Sequence, residues 1–389
     1  MRSVRWAFIF IALGIGVIGF AGGRLGDAFG PTPVESGPKP IPLTPAEEDV
    51  KVAVRDLWQR LDEAAASNRP DELPNLFDGG QSGAASLEHA RARIAFVQAW
   101  AKARGVIWQT PEVSVRTPAI RFGGGNPPAY VDVTAIISER WTYHYPPDAS
   151  GNAGVQSFGL GRDHYLRLVR VGDAWRIQRD WFTDPLDQDT RIPGPALPAS
   201  HIDAAAALAP GAPALDLAAA DSYDRAGAVR YADRYCGSAP GCGNDGRYNP
   251  TFIDYNGIGG DCTNFLSQVL HVGGGLPLTW GWGYNARTGE GSVSWVQAPS
   301  MVGYLLGSGR AVTVARGTYD KVAGRIAQLQ AGDVVAYIEK GKIVHLGFVV
   351  GRDPRGYALV DSHTADRYHV PWDIGWDRGA TYILLHITR

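Results

Sequence analysis

The sequence predicts an α+β protein made of two regions with different element orders. In residues 45–185, helical patterns precede strand patterns. In residues 221–389, one short apolar helix follows a Gly-rich stretch and precedes several strands. The chain has 389 residues. Since single hydrophobic cores seldom grow beyond about 250 to 300 residues, two domains are expected.

The composition indicates a globular protein. Hydrophobic residues make up 45% of the chain and charged residues 20%, and there are 12 tryptophans, which is enough apolar material for a substantial core. The net charge is −2, with Arg and Lys spread along the chain, so no basic stripe is available for phosphate groups. We therefore expect no nucleic-acid partner, and nothing in the sequence calls for a cofactor.

Residues 1–23 have the pattern of an export signal or membrane anchor. Arg2 and Arg5 precede an uncharged apolar run over residues 6–23. A run of about 18 residues lies between the core of a signal peptide and a spanning helix. Because the cleavage site is poor, we favour a single N-terminal span with the arginines cytoplasmic and the body outside a bacterial cell. Cleavage and secretion is the alternative.

Two stretches predict flexible connections. Residues 24–44 are rich in Pro and Gly, residues 186–220 are rich in Pro and Ala, and neither shows a strand pattern. We interpret the first as a tether and the second as an interdomain linker. The predicted domains are therefore residues 45–185 and residues 221–389.

The first domain begins with strong helix signals. Thr44 precedes Pro45 and two acidic residues, and apolar residues then recur on one face. A second helix is predicted over residues 87–104, and residues 130–182 then show the two-residue period of strands. This order, ending in the hairpin "VGDAWRIQRDWF", resembles the nuclear-transport-factor-2-like fold, in which a curved antiparallel sheet wraps a helix pair. A sheet of this kind often encloses a pocket, but isolated polar residues on alternating strands usually face solvent. We therefore expect a scaffold or protein-binding role for this domain rather than catalysis.

The stretch "GGDCTNFLSQVL", residues 259–270, carries the principal catalytic candidate. Asp261 is a good N-cap residue, which places Cys262 in the first helical turn. Unpaired N–H groups and the helix dipole there favour the thiolate and offer donors to an oxyanion. The alternative is that Cys262 is a small buried core residue.

A base is available further along the chain. His345 lies within a predicted strand over residues 343–350, where a lone histidine is also compatible with a core position. Asp361 and His363 lie two residues apart in the next strand and therefore share a face. Either one is a candidate to orient the imidazole of His345.

The motif order resembles a known family. "GGDCTNFLSQVL", then "SVSW", "LQAGDVVAY", the strand histidine and "SHTADR" are similar to the putative amidase domain family of papain-like, NlpC/P60-type cysteine hydrolases. The resemblance implies a papain-like α+β domain with the nucleophile at the start of a central helix packed on an antiparallel sheet. It makes Cys262 the nucleophile, His345 the base and His363 the third residue. Asp361 in that third role stays open.

Further site residues are predicted around this core. Asn256 lies six residues before Cys262, where papain-like enzymes place an amide that binds the oxyanion. The resemblance also places an aromatic, Gly-rich segment beside the cleft, so Trp280, Trp282 and Trp295 are candidates to contact substrate. Packing within the loop is the alternative for these rings.

Cys236 and Cys242 enclose the short loop "GSAPG" and are predicted to form a disulfide, which leaves Cys262 as the free thiol. A zinc site at this pair lacks a nearby His or Cys pair at zinc spacing, so no metal is expected.

The sequence thus predicts a cysteine amidase or peptidase that hydrolyses an amide bond, with cell-wall peptide or glycopeptide as the expected substrate. The first alternative is a catalytically silent binding or scaffold protein. The second is an acyltransferase that uses the same Cys262 and His345.

Overall fold

The computed structural model describes residues 43–147, 151, 153–184, 187, 223–256, 259–375 and 379–388. Thr44–Arg389 form one compact unit. The predicted signal segment, residues 1–23, and nearly all of the predicted tether and linker lie outside the described residues. The predicted domain boundaries therefore stay a prediction.

The predicted membrane-anchored localisation is corrected. In the part of the chain that the structure describes, every helix is too short or too polar to cross a membrane.

Seven α-helices occur among the described residues. They are α1 (Pro45–Ala66), α2 (Gln81–Arg104), α3 (Arg225–Tyr235), α4 (Cys262–Gln268), α5 (Val293–Val296), α6 (Ala298–Gly307) and α7 (Tyr319–Val322). The start of α1 is the one that the sequence predicts. Thr44 and Glu47 form a reciprocal capping box, in which each side chain accepts a hydrogen bond from the backbone N–H of the other.

Eleven strands form one sheet in the described part of the chain. They are β1 (Ile107–Trp108), β2 (Glu112–Gly123), β3 (Tyr130–His144), β4 (Val155–Val171), β5 (Ala174–Phe182), β6 (Ala311–Thr318), β7 (Val334–Glu339), β8 (Lys342–Arg352), β9 (Ala358–Ser362), β10 (Asp366–Pro371) and β11 (Thr381–Ile387). The path is β1-β3-β4-β10-β9-β8-β7-β11-β6, with β2 on β3 and β5 on β4. The pairs between strands are antiparallel, which confirms the α+β class.

The antiparallel pair β4–β10 joins the two regions of the sequence. Gly161 lies opposite Asp366, and Gly159 lies opposite Tyr368. The loop that contains the 236–242 disulfide crosses over the same glycines. A Cβ added to Gly161 would lie 2.2 Å from Ser238 Oγ and 2.8 Å from the backbone nitrogen of Ala239. The two regions therefore meet at a point where only glycine fits.

We predict that Gly161→Ala lowers the free energy of unfolding by about 1 to 3 kcal/mol, because the added methyl group forces the loop off the strand. Gly307→Ala is the matched control, since a Cβ at Gly307 meets nothing within 4 Å. Urea unfolding of both variants measures the difference. Equal free energies of unfolding for the two variants would show that the disulfide loop moves to make room for the methyl group without destabilising the fold.

Candidate active site

Cys262 is the first residue of α4, as the sequence predicts. All seven residues of this helix are buried, and it continues as a π-helical turn over Val269–Gly273. Phe265 and Leu266 pack in one apolar cluster with Leu346 and Phe348 of β8. This packing fixes the start of the helix against the middle of the sheet.

The thiol of Cys262 lies in a closed environment. The residue is 8% exposed, and its Sγ lies 3.7 Å from Thr263 Oγ1. Burial raises the pKa of Cys262 above its ordinary value, although the Thr263 hydroxyl and the Leu346 backbone N–H favour the thiolate. The charge of Asp261 opposes ionisation. The thiol is therefore neutral in this arrangement, contrary to the expectation from its position at a helix start.

Asp261 occupies the N-cap position, but its side chain does not cap the helix. Its Oδ1 accepts hydrogen bonds from the backbone N–H of Tyr255 at 2.9 Å and from Asn264 Nδ2 at 2.8 Å. Its Oδ2 lies 2.6 Å from His363 Nδ1. The predicted cap is therefore replaced by a buried contact with a histidine 102 residues further along the chain.

His363 follows β9 and is held on every side. Its ring stacks between Tyr248, at 3.9 Å between ring centroids, and Phe265, at 4.1 Å. Nδ1 faces the Asp261 carboxylate, and Nε2 lies 2.6 Å from the backbone carbonyl oxygen of Tyr235. A carbonyl oxygen only accepts hydrogen bonds, so Nε2 carries a proton.

The pKa of His363 is raised. Burial lowers this pKa, but the hydrogen bond to Asp261 and the charge of Asp261 together outweigh that effect. The ring therefore keeps protons on both nitrogens to a higher pH than a free imidazole does, and it then forms a buried ion pair with Asp261. A ring in that state has no lone pair with which to accept the thiol proton.

His345 has the opposite character. The residue is 1% exposed, and neither of its ring nitrogens has a hydrogen-bond partner among the described residues. Burial lowers its pKa well below the ordinary value, and the charge of Arg367 adds to this effect. The ring is neutral, so one of its nitrogens has a free lone pair.

The structure does not bring the ring of His345 to the thiol. Tyr337 lies opposite His345 in the β7–β8 pair, whereas Ile338 lies opposite Ile343, so Val344 is an extra residue in the ladder. This bulge turns His345 to the face of Tyr337, while α4 packs on the other face. No hydrogen bond joins His345 to Cys262 among the described residues, and the catalytic pairing of the two stays a prediction.

Asp361 lies in β9 and His363 directly follows it, but neither is hydrogen-bonded to His345. Asp361 is fully buried, and its Oδ1 accepts a hydrogen bond from the backbone N–H of His369 at 2.7 Å. Burial raises the pKa of Asp361 to about 8. The expected third-residue role toward His345 is therefore corrected for both residues.

Asn256 forms hydrogen bonds with two residues that adjoin His363. Its Nδ2 donates to the Tyr248 hydroxyl at 2.8 Å, and its Oδ1 accepts from Thr364 Oγ1 at 3.0 Å. Thr364 Oγ1 in turn accepts from the backbone N–H of Asp261. The amide thus supports the loop around the ion pair, and its predicted role toward an oxyanion stays a prediction.

The three predicted substrate tryptophans separate into two kinds. Trp282 and Trp295 are fully buried, and their Nε1 groups donate to Ser267 Oγ at 3.0 Å and to Asn264 Oδ1 at 2.8 Å. Their predicted contact with substrate is corrected, because both rings belong to the core that supports α4. Trp280 is fully exposed and free to meet a ligand.

The predicted disulfide is confirmed. Cys236 and Cys242 are bonded, with 5.5 Å between their Cα atoms, and Cys262 is the free cysteine. Sequence reasoning did not identify Tyr248 or Thr364 as members of the site. The adjacent letters "HT" at residues 363 and 364 were the available signal for Thr364, whereas Tyr248 lies in a loop without a motif.

The described residues also enclose a cavity of about 570 Å³ that Cys262 does not line. Its walls combine aromatic rings with three arginines. They include Trp108, Trp141, Phe158, Arg93, Arg162 and Arg367. The arginines are paired with acidic groups, among them Glu139 and Asp184.

We predict that Asp261→Asn removes a stabilisation that depends on pH. The pKa of His363 lies above 6.5 in the folded state. The ion pair therefore stabilises the fold fully below pH 6.5, and this contribution is lost as pH rises through the raised pKa. Loss of one partner of a buried pair costs about 3 to 5 kcal/mol, so the variant should be less stable by that amount at pH 6.

Denaturant unfolding between about pH 6 and 9 measures this effect, and the gap between wild type and Asp261→Asn should narrow as pH rises. Asp320→Asn, at an exposed position in α7, is the control and should follow the wild type. A gap of constant size over the whole range would contradict the ion pair.

Residues 222–385 match the family described as "Putative amidase domain". The chain is also similar to the Bacillus subtilis (strain 168) protein named "Uncharacterized protein YhbB". The two are 33% identical over 150 residues, which are 37% of this chain and 42% of that protein. The chain therefore spans less than half the length of this relative.

Two solved structures are similar at a low level. The intermembrane space region of chloroplast protein ARC6 is 15% identical, with a TM-score of 0.25, over 36% of this chain and 98% of that one. Aln2 from a Streptomyces species is 16% identical, with a TM-score of 0.21, over 36% of this chain and 91% of that one. TM-scores this low carry no argument about the fold. The nuclear-transport-factor-2-like and NlpC/P60-type resemblances stay predictions, and the family match supports an amidase-like C-terminal domain over residues 222–385.

Proposed function

We propose that the amidase-like domain hydrolyses an amide bond with Cys262 as the nucleophile and His345 as the general base. The observation that carries this proposal is that the buried ring of His345 has no hydrogen-bond partner among the described residues. It is a neutral, buried imidazole with two unpartnered nitrogens, and it directly precedes Leu346, whose backbone N–H favours the Cys262 thiolate. A buried polar group without a partner costs free energy, which is a common feature of functional sites.

The two candidate histidines differ in what they offer. His363 uses one nitrogen on Asp261 and the other on the Tyr235 carbonyl, so it becomes a base only if one of these contacts breaks. His345 breaks no hydrogen bond when it accepts a proton, because its nitrogens have no partner among the described residues, but its ring has to turn to the face on which α4 packs. We therefore assign His363 to positioning and His345 to proton transfer.

The proposed reaction begins with transfer of the Cys262 thiol proton to His345. The thiolate attacks the amide carbonyl carbon, and the resulting tetrahedral oxyanion expels the amine, which takes the proton back from His345. A thioester on Cys262 remains. Water, deprotonated by His345, attacks the thioester and releases the carboxylic acid and the free thiol.

The described arrangement corresponds to a resting state in this proposal. The pKa of the thiol is raised and the pKa of His345 is lowered, so both shifts disfavour a thiolate beside an imidazolium. Proton transfer therefore requires that the His345 ring and the thiol meet and that water or substrate reach them. Substrate entry is the event that we propose for this change.

For the substrate we propose a peptide amide of the cell-wall kind. The support is the motif order that resembles NlpC/P60-type cysteine hydrolases, together with the family match of residues 222–385. Trp280, the exposed ring of the aromatic segment, is the proposed contact with sugar or peptide.

We predict that Cys262→Ala and His345→Ala each lower the rate of peptidoglycan-fragment cleavage by about 10³-fold or more, because a nucleophile or its base is lost. The measurement is chromatography of products from the purified full chain. His271→Gln is the matched control. It replaces a partly buried histidine whose Nδ1 lies 2.7 Å from the Leu276 carbonyl oxygen, and it should retain wild-type activity.

The product mixture also separates hydrolysis from acyl transfer. With an added amine, a hydrolase gives the free carboxylic acid, whereas an acyltransferase gives a new amide that depends on the same Cys262 and His345. Wild-type activity in Cys262→Ala would rule out Cys262 as the nucleophile.

A second candidate function is a catalytically silent binding protein. It is favoured by the burial of Cys262 and by the absence of a histidine hydrogen bond to its thiol among the described residues. On this account the wild type, Cys262→Ala and His345→Ala give identical mixtures, and iodoacetamide labels Cys262 only after unfolding.

A further inference from the structure

Asp233, Asp361 and His369 form a cluster that the proposed amide hydrolysis does not use. Asp233 lies in α3, Asp361 in β9 and His369 in β10. Each offers one ligand atom, and these three atoms all lie within 4.8 Å of one another. Three elements that are distant in the sequence therefore bring two carboxylates and one imidazole together.

The histidine is directed into this cluster by the backbone. The register between β9 and β10 shifts between Arg367 and Val370, and His369 lies in this irregularity with φ of 54°. Its backbone N–H donates to Asp361 Oδ1 at 2.7 Å, and its Nε2 lies 2.9 Å from Asp233 Oδ1. One residue of the bulge thus contacts both acids.

The buried carboxylate provides an independent indication of a ligand. Asp361 is fully buried, and its Oδ2 has no hydrogen-bond partner among the described residues. Asp361 also approaches the Asp233 side chain within hydrogen-bonding reach. Two carboxylates at this separation repel each other unless a proton or a cation lies between them.

We propose that Asp233, Asp361 and His369 bind a divalent cation of the zinc class. Zn²⁺ accepts imidazole nitrogen and carboxylate oxygen at about 2.0 to 2.2 Å, so the three atoms need only draw together around the ion. Mg²⁺ and Ca²⁺ prefer all-oxygen sets of six or more ligands, and the imidazole makes them poorer occupants.

The bound ion has a structural role in this proposal. It cross-links α3, which leads into the loop of the Cys236–Cys242 disulfide, to β9 and β10. The side chains of Asp233 and His369 are partly exposed, at 35% and 27%, so the ion has a route from solvent, while Asp361 forms the closed side. The open position faces water, as three protein ligands leave one site of a tetrahedron free.

The test is isothermal titration calorimetry, in which Zn²⁺ is added to the purified full chain after treatment with a chelator and removal of that chelator. We expect one Zn²⁺ per chain in a site that Asp361→Asn and His369→Gln each weaken by at least about tenfold. We also expect Zn²⁺ to raise the midpoint of thermal unfolding of the wild type and to leave both variants unchanged.

Asp180→Asn is the matched control. Asp180 Oδ1 lies 2.7 Å from His164 Nδ1, and among the described residues this pair belongs to no group of three metal-ligating side chains. The variant should therefore bind Zn²⁺ like the wild type. If Asp361→Asn does not fold, Asp233→Asn, at the partly exposed ligand, replaces it. A wild type that binds no Zn²⁺ would overturn the proposal, as would equal binding by wild type and all ligand variants.

Discussion

The buried contact between Asp261 and His363 is the interaction on which the candidate site depends. Each side chain is 1% exposed, and their atoms approach to 2.6 Å. An unpaired charge at this depth costs several kcal/mol, so separating the two residues destabilises the fold. Since Asp261 directly precedes Cys262, the pair fixes the start of α4 against the turn after β9.

The same pair explains why the two catalytic candidates differ so strongly. Both ring nitrogens of His363 are occupied, one by the Asp261 carboxylate and one by the Tyr235 carbonyl oxygen. His363 therefore holds the nucleophile in position and is not available as a base. His345 is left neutral and without a partner among the described residues. This unsatisfied buried imidazole directly precedes Leu346, a strand residue whose backbone N–H favours the Cys262 thiolate.

Local signals in the sequence predict local features well. The helix start at Thr44, the helix start at Cys262 and the disulfide over a short Gly/Pro loop are all confirmed, because each depends on neighbours within a few residues. The α+β class is confirmed for a related reason, since the helical and strand periods are visible in short windows. The family match to residues 222–385 agrees with the motif order of that region.

Features that depend on strand register or on distant partners could not be predicted. One extra residue at Val344 turns His345 to the other face, and no local pattern marks that bulge. Asp261 meets a partner 102 residues away, so its sequence position suggested only a cap. Trp282 and Trp295 lie in a Gly-rich segment whose sequence is typical of an exposed loop. Only the tertiary structure shows that both rings are buried in the core that packs against α4.

The most direct test of the account is detection of the thioester that joins substrate to Cys262. Mass spectrometry of the full chain, quenched with acid during turnover of a peptidoglycan fragment, locates the acyl group. We predict an acyl adduct on the peptide that contains Cys262 in the wild type and no adduct in His345→Ala. An adduct that forms equally in His345→Ala, or turnover that continues unchanged in Cys262→Ala, would contradict it.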